Sequence, residues 1–342
     1  MPFAIAEDDA EQIGFLLLPE FPIYALILAI EALRIANQNS GRRLYSWHLI
    51  AADEREVQAG NGMTLTPQGT IATIEALPSV IVCAGNQPTQ YITKPLLNWL
   101  RRLARHGSAL GAIDTGTFTL AQAGVLDGYH VTLHWEAIPM FREHFPDIEV
   151  GETLFVVDRD RFTCAGGIAA LDMMLHLIAL RHGHHLAQIV ANGLIHHRLR
   201  RGAEQQRVSL LEPGDNLDAR LRRIIGTMEA HLDPPLAPKV LAANCGVSVR
   251  QLERIIRARF DDSPMQRYIK IRLQAARNLL FYGDIPIKQV AAACGFSAPS
   301  VLSREFRRHF GQTPREFRRL YRSDELTRFR PIERQPLGVA AR

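Results

Sequence analysis

The chain contains Leu241-Ala-Ala-Asn-Cys-Gly246-Val-Ser248 and, 49 residues later, Val290-Ala-Ala-Ala-Cys-Gly295-Phe-Ser297. Each copy has a run of small residues, a glycine that can turn the chain at positive φ, and a serine that can N-cap the next helix. After the turn the offset becomes 50 residues, so that Pro264 matches Pro314. The repeat predicts an all-α domain with two helix-turn-helix motifs, whose second helices would enter the major groove of DNA.

The second helix of each copy is short, basic and amphipathic. Arginine and glutamine can read guanine and adenine edges, and serine can contact a base or a phosphate. We expect Arg250 to read a base, although a phosphate contact or an internal ion pair is the alternative for any one arginine. Asp261 stands where the second copy has Gly311, so the first recognition helix is expected to end differently. The predicted DNA-binding residues are Ser248, Arg250, Gln251, Arg254, Ser297, Ser300, Ser303, Arg304 and Arg307.

Basic charge is concentrated around the repeat. Residues 213–330 hold 22 Lys or Arg and 12 Asp or Glu, a net of +10, whereas the rest of the chain has a net of −5. A basic surface beside groove-reading helices is typical of a polyanion binder. Double-stranded DNA is therefore the predicted partner, and a solvated basic helical surface is the alternative.

The first two hundred residues alternate apolar runs with helical patterns. Continuous apolar strands with helices between them predict an α/β doubly wound, mostly parallel sheet. Ligands of such sheets bind beyond the carboxyl ends of the strands, which here carry Pro19–Phe21, Ala84–Asn86 and Asp114–Gly116. The predicted strands are Ile13–Leu18, Trp47–Ala51, Val80–Cys83 and Ala109–Ile113, and the predicted helices are Pro22–Asn37, Tyr91–Arg105 and Thr117–Ala123.

The most informative of these ends is Gly111-Ala-Ile-Asp114-Thr115-Gly116-Thr-Phe118. A strand passes into a helix through a tight turn with Thr115 at its expected apex, as in a nucleophile elbow. Backbone N–H groups of the following helix would favour a ligand carboxylate. Trp135 and Glu136, with the acidic group of the elbow, could surround an ammonium group, although Trp135 could equally fill the core.

The chain resembles AraC-family regulators that carry an amidotransferase-like sensor. Residues 1–200 resemble the class I glutamine amidotransferase-like, or PfpI/ThiJ, fold, and residues 215–322 resemble the AraC/XylS DNA-binding domain. The stretches that carry the resemblance are Phe15–Pro19, Glu31–Asn37, Asn61–Met63, Ile113–Gly116, Thr132–Glu136, Cys294–Ser297 and Phe310–Arg318.

This resemblance implies a ligand-responsive, sequence-specific transcriptional regulator that activates catabolic genes. The implied effector is a zwitterionic amino acid or a methylated amine such as glycine betaine, carnitine or arginine. A homodimer, RNA polymerase as a partner and a cytoplasmic location are expected with it, and no cofactor is predicted. The predicted ligand-binding residues are Asn61, Asp114, Thr115, Gly116, His134, Trp135 and Glu136.

Two departures from the catalytic relatives favour a sensor over an enzyme. Those relatives carry cysteine at the elbow, whereas a threonine such as Thr115 needs an adjacent base before it can attack. Their supporting acid would fall near Pro22, and Glu20 is expected to occupy a turn instead. We therefore predict that the protein is not an enzyme. An amidotransferase-like enzyme with a DNA-binding tether and a constitutive DNA-binding protein with a non-sensing dimerisation domain remain the alternatives.

The remaining features of the sequence set its organisation. We predict a sensing and dimerisation domain at 1–200, a linker at 201–216, a DNA-binding domain at 217–322 and a flexible tail at 323–342. The histidines around residues 176–197 lack a convincing metal-ligand arrangement, so no metal is predicted. No membrane span or signal segment is indicated. Reduced, buried thiols are expected at Cys83, Cys164, Cys245 and Cys294.

Overall fold

The computed structural model describes residues 10–207 and 216–322. Its strands are β1 Glu11–Leu17, β2 Tyr45–Ala51, β3 Val57–Gln58, β4 Thr64–Leu65, β5 Gly69–Thr70, β6 Ser79–Ala84, β7 Ala109–Asp114, β8 His130–Thr132, β9 Glu149–Gly151, β10 Phe155–Asp158 and β11 Arg161–Cys164. Its N-terminal helices are α1 Ile23–Ser40, α2 Lys94–Arg105, α3 Gly116–Gln122, α4 Ile138–His144, α5 Ala169–His182 and α6 His184–Gly193. The C-terminal helices are α7 Asn216–Ala230, α8 Pro238–Asn244, α9 Val249–Phe260, α10 Pro264–Tyr282, α11 Ile287–Ala293, α12 Pro299–Phe310 and α13 Pro314–Arg322.

A seven-stranded sheet in the order β10-β11-β7-β6-β1-β2-β5 forms the centre of the N-terminal domain. Neighbouring strands are parallel except β10 and β11, which are antiparallel. The predicted mostly parallel α/β sheet is therefore confirmed, and its four predicted strands are β1, β2, β6 and β7. The three predicted helices are α1, α2 and α3, and α2 begins three residues later than predicted because Thr93 caps it.

Both faces of this sheet are buried, because strand side chains alternate between two apolar cores. On β1, Ile13 and Phe15 belong to the core beneath α1, α5 and α6, whereas Leu16 belongs to the core beneath α2, α3 and α4. On β6, Ile81 and Val82 divide in the same way. The continuous apolar character of these strands is thus the direct result of helices on both sides. All four cysteines are buried free thiols, as expected.

The C-terminal domain consists of two helix-turn-helix copies joined by the long helix α10. The first copy is α8 with α9, and the second copy is α11 with α12. The first copy packs with α7 around its own core, which includes Ile224, Leu241 and Leu252. The second copy belongs instead to an apolar cluster that also includes residues of α10 and of α4 in the N-terminal domain, among them Val290, Leu279 and Phe141.

Part of the predicted linker lies against the sheet domain. Leu154 N–H donates to the Glu204 carbonyl at 2.9 Å, and Gln206 N–H donates to the Glu152 carbonyl at 3.1 Å. Residues 208–215 of that linker, the predicted tail at 323–342 and residues 1–9 lie outside the described residues. No helix within residues 10–207 and 216–322 is long and apolar enough to cross a membrane.

Candidate effector site and nucleic-acid interface

The apex of the strand-to-helix elbow is Asp114. Asp114 has φ 61°, in the left-handed region, whereas Thr115 has φ −81° and is the residue that caps α3. The prediction of Thr115 at the apex is therefore wrong by one position. An aspartate tolerates this backbone conformation better than a β-branched residue such as threonine, which explains the order of the two.

Thr115 and Gly116 hold the elbow against the neighbouring strand. Thr115 is fully buried, and its hydroxyl donates to the Gly85 carbonyl at 2.5 Å. A methyl group on Gly116 would lie 2.2 Å from the Val82 carbonyl oxygen, so only glycine allows this approach. Both residues thus have structural roles in shaping the site.

The carboxyl group of Asp114 is the polar centre of the elbow. Burial raises its pKa to about 8, the hydrogen bond from the Thr115 N–H opposes the shift, and the charge of Glu136 adds to it. A side chain on Gly166 would collide with this carboxyl group, so the glycine leaves room for it. The half-exposed Tyr24 is close enough to this carboxyl group to interact with its charge. Burial, and then the charge of Asp114, raise the pKa of the Tyr24 phenol.

The predicted strand ends do converge beside Asp114. Glu20 has φ 68° and occupies a turn, as expected, and the Asn86 amide donates to its carboxylate at 3.4 Å. Asn61 behaves differently from the other predicted ligand-binding residues. It is exposed at the tip of the β3–β4 hairpin, where its side-chain oxygen accepts the Met63 N–H at 3.1 Å and closes its own turn.

The segment from Leu133 to Ala137 brings the other predicted ligand-binding residues to the elbow. His134 is partly buried, burial lowers its pKa, and its Nδ1 has no hydrogen-bond partner among the described residues. Trp135 lies beneath the guanidinium of Arg207, at 4.8 Å from the ring centroid. Glu136 accepts a hydrogen bond from the Tyr282 hydroxyl at 3.0 Å. We name residues 133–137 the elbow loop.

Gln206 is a residue that the sequence reasoning missed. Its amide nitrogen donates to the Leu133 carbonyl at 2.8 Å and to the Thr153 carbonyl at 3.0 Å. Its amide oxygen accepts the Trp135 N–H at 2.8 Å. The predicted linker is thereby fastened to the elbow loop. A glutamine in a polar segment carries no sequence signal for such a role.

A cavity of about 590 Å³ lies between Trp135 of the elbow loop and the C-terminal domain. Its walls include Trp135 and Arg142 on one side and Arg267, Lys270 and Gln274 of α10 on the other. The cavity is mixed in charge, since Glu152 and Glu229 also line it.

The histidines of residues 176–197 are dispersed. His196 Nε2 lies 3.1 Å from Oδ1 of the buried Asp172, which also forms an ion pair with Arg200 at 2.6 Å. His176 stacks near Phe155, and His182 meets Tyr45 edge to face. Within the described part of the chain, no group of three His, Cys, Asp or Glu side chains could hold a metal ion.

The recognition helices α9 and α12 present most of their predicted DNA-binding side chains to solvent. Eight of the nine predicted residues, on these helices or at their starts, are exposed, and Ser303 is half-buried; the exposed residues are Ser248, Arg250, Gln251, Arg254, Ser297, Ser300, Arg304 and Arg307. Arg304 also forms an exposed ion pair with Glu305 at 3.2 Å. Such a pair costs little to exchange for a phosphate or a base contact.

The two helix starts differ. Ser248 caps α9 in a capping box: its hydroxyl accepts the Gln251 N–H, and the Gln251 side-chain oxygen accepts the Ser248 N–H at 2.9 Å. The cap of α12 is Ala298 with no side-chain bond, so the expected cap at Ser297 is wrong. The extra residue that changes the repeat offset from 49 to 50 moves the cap position onto the alanine.

The two helix ends are alike, contrary to expectation. Asp261 has φ 53° and Gly311 has φ 77°, so both recognition helices end at a left-handed residue. Aspartate is one of the few non-glycine residues that adopt this conformation readily. The substitution therefore preserves the geometry.

Comparisons with known proteins agree with this architecture. Residues 12–180 match the DJ-1/PfpI family, and residues 241–320 match a helix-turn-helix domain. The chain is 41% identical to the HTH-type transcriptional regulator CdhR of Pseudomonas aeruginosa, over 90% of this chain and 92% of that protein. It is also 41% identical to the HTH-type transcriptional regulator GbdR of the same species, over 90% of this chain and 84% of that protein. The identity to its HTH-type transcriptional regulator ArgR is 36%, over 95% of this chain and 98% of that protein.

The chain therefore belongs to the AraC-type HTH transcriptional regulators that carry an N-terminal DJ-1/PfpI domain. It is a transcriptional regulator, and its helix-turn-helix domain implies binding to double-stranded DNA.

Proposed function

We propose that the DJ-1/PfpI domain binds a small effector at the elbow, and that this binding controls the action of the helix-turn-helix domain on DNA. One observation carries the proposal. The elbow loop contacts both the linker, through Gln206 and Arg207, and the helix α10, through Tyr282. An effector beside Asp114 would therefore contact or displace the elbow loop, which already contacts the DNA-binding domain through Tyr282.

The effector is proposed to be a zwitterionic amino acid or a methylated amine. Glu20 and Glu136 approach the elbow from neighbouring segments, and a cationic nitrogen placed there would favour the charged form of the Asp114 carboxyl group, whose pKa is raised to about 8. The effector carboxylate was expected at the N-terminus of the helix that follows Thr115, but the Asp114 carboxyl group already accepts the Thr115 N–H at this turn. We therefore place the cationic end, rather than the carboxylate, at the elbow. Glycine betaine, carnitine and arginine are the candidates.

The protein is proposed to have no enzymatic turnover. The Thr115 hydroxyl donates to a backbone carbonyl and is fully buried, so it is poorly placed to attack a substrate. The elbow apex is a carboxyl group rather than a thiol. Amidase or glyoxalase turnover that disappears in Asp114→Ala would contradict this part of the proposal.

The wider proposal retains the expected organisation: 1–200 for sensing and dimerisation, 201–216 as linker, 217–322 for DNA binding and 323–342 as tail. Exposed apolar side chains on and beside α5 and α6, Ile168, Leu180 and Ile195, support a homodimer through these helices. Arg250, Arg254, Arg304 and Arg307 are proposed to contact DNA. In this proposal the protein acts in the cytoplasm, where it activates catabolic genes together with RNA polymerase.

Calorimetric titration of the full chain with glycine betaine, carnitine and L-arginine tests the effector site. We expect one probe to bind, and Asp114→Ala to abolish its binding because the site loses the carboxyl group at the apex of the elbow. Asn61→Ala is the control, since that side chain closes only its own turn. Normal binding in Asp114→Ala would place the effector elsewhere.

A further inference from the structure

One carboxylate of the elbow loop is shared with the DNA-binding domain. Glu136 accepts a hydrogen bond from the Tyr282 hydroxyl at 3.0 Å, and Arg277 Nη1 lies 4.0 Å from its other oxygen. Tyr282 is buried at the last position of α10, and its ring centroid lies 6.3 Å from that of His134. Burial, and then the charge of Asp114, raise the pKa of its phenol. The end of α10 therefore reaches into the group of residues proposed to hold the effector.

The aromatic face next to this carboxylate is covered as well. The Arg207 guanidinium lies over Trp135, and it pairs with Glu229 at 3.0 Å and with Glu152 at 3.3 Å. A cation over an indole is the arrangement expected for a bound ammonium or guanidinium ligand. Here side chains of the protein itself cover both recognition elements, the carboxylate of Glu136 and the indole of Trp135.

The end of α10 packs closely against α4 of the sensor domain. A methyl group on Gly283 would lie 2.6 Å from the Met140 sulfur, so α4 packs directly against the residue that follows α10. The cavity of about 590 Å³ lies along α10 further from this end. The polar contacts between α10 and the elbow loop are made near the end of α10, by Arg277 and Tyr282, so these side chains hold that end of the helix against the elbow loop.

We propose that Tyr282 is a latch that competes with the cationic end of the effector for Glu136. In this arrangement, which rests on the proposed function, effector binding displaces the phenol and frees the end of α10 from the elbow loop. An effector that must displace an internal competitor binds with reduced apparent affinity, so removing the competitor raises that affinity.

Tyr282→Phe in the full chain tests the competition, because it keeps the ring and removes the hydroxyl. The matched control is Tyr129→Phe, whose hydroxyl donates to Asp160 at 2.7 Å within the sensor domain. In titrations with glycine betaine, carnitine and L-arginine, we expect Tyr282→Phe to bind the recognised probe about tenfold more tightly than wild type. Tyr129→Phe should bind as wild type does. Unchanged affinity in Tyr282→Phe would overturn the latch, and so would weaker affinity, which would mean that the hydroxyl helps to bind the effector.

A second measurement needs no effector. Hydrogen exchange of residues 132–142 should be about tenfold faster in Tyr282→Phe than in wild type, because the elbow loop loses its anchor on α10. Tyr129→Phe should leave these rates unchanged. Wild-type exchange rates in Tyr282→Phe would overturn the latch whatever the effector is. If no probe binds wild type, Tyr282→Phe or Tyr129→Phe, the proposed effector class is wrong. The exchange rates still show whether the Tyr282 hydroxyl anchors the elbow loop.

Discussion

The two helix-turn-helix copies share an outline but differ in what surrounds them. The first copy has its own core with α7, whereas the second belongs to the apolar cluster that continues into the sensor domain through α4 and α10. The turn of the first copy is open around Gly246, whereas Gly295 is packed against the segment before α8. Two copies that are similar in sequence therefore pack in different surroundings. The second copy packs in a core that it shares with the sensor domain, and the first copy packs in a separate core.

The largest expected difference between the copies concerns their turn glycines. Both have φ 68°, but a methyl group on Gly295 would lie 2.1 Å from the Leu232 carbonyl oxygen, whereas the nearest atom to one on Gly246 is an Arg223 nitrogen at 3.9 Å. We expect Gly295→Ala to lower the free energy of unfolding by about 4 kcal/mol, from backbone strain and the clash together. Gly246→Ala should cost about 1–2 kcal/mol, from strain alone. Urea denaturation measures both, and equal losses would remove this distinction between the turns.

A smaller effect is expected at Arg272, which supports only the second turn. Its Nε donates to the Cys294 carbonyl at 2.7 Å, its Nη2 donates to the Gly295 carbonyl, and its guanidinium lies 4.3 Å from the Phe296 ring centroid. Arg272→Met leaves two carbonyls unpaired and should lower the free energy of unfolding by about 3 kcal/mol.

Arg223→Met is the matched control for this substitution, because Arg223 is an exposed arginine beside the first turn. It should change the free energy of unfolding by no more than about 0.5 kcal/mol. A loss in Arg272→Met as small as that of the control would show that the guanidinium does not hold the second turn.

The smallest expected effect is at the helix starts. Ser248→Ala removes the capping box of α9 and should lower the free energy of unfolding by about 1 kcal/mol. Ala298→Ser offers α12 the cap it lacks and should raise that free energy by about 0.5–1 kcal/mol. Thermal unfolding of the two variants should therefore shift in opposite directions. A shift of the same sign in both would mean that side-chain capping does not distinguish the copies.

Much of the fold followed from local patterns. Apolar runs placed β1, β2, β6 and β7, because buried parallel strands must be apolar on both faces. The elbow was located, but its apex was misplaced by one residue, since the pattern of hydroxyl and glycine residues does not say which residue takes positive φ. The pairing of Glu136 with Tyr282 joins residues 146 positions apart, and neither periodicity nor composition indicates such a contact. The same holds for Gln206, whose partners are backbone groups of distant segments.

Native-state hydrogen exchange of the full chain tests the central claim, that the second copy shares a core with the sensor domain and the first does not. With increasing denaturant, we predict that the amides of Val290–Cys294 open together with those of the sensor strand β6, at the same free energy. The amides of Leu241–Cys245 should open separately, at a lower free energy. If both copies instead open as one unit, apart from the sensor, the shared core does not act as a unit and the claim is wrong.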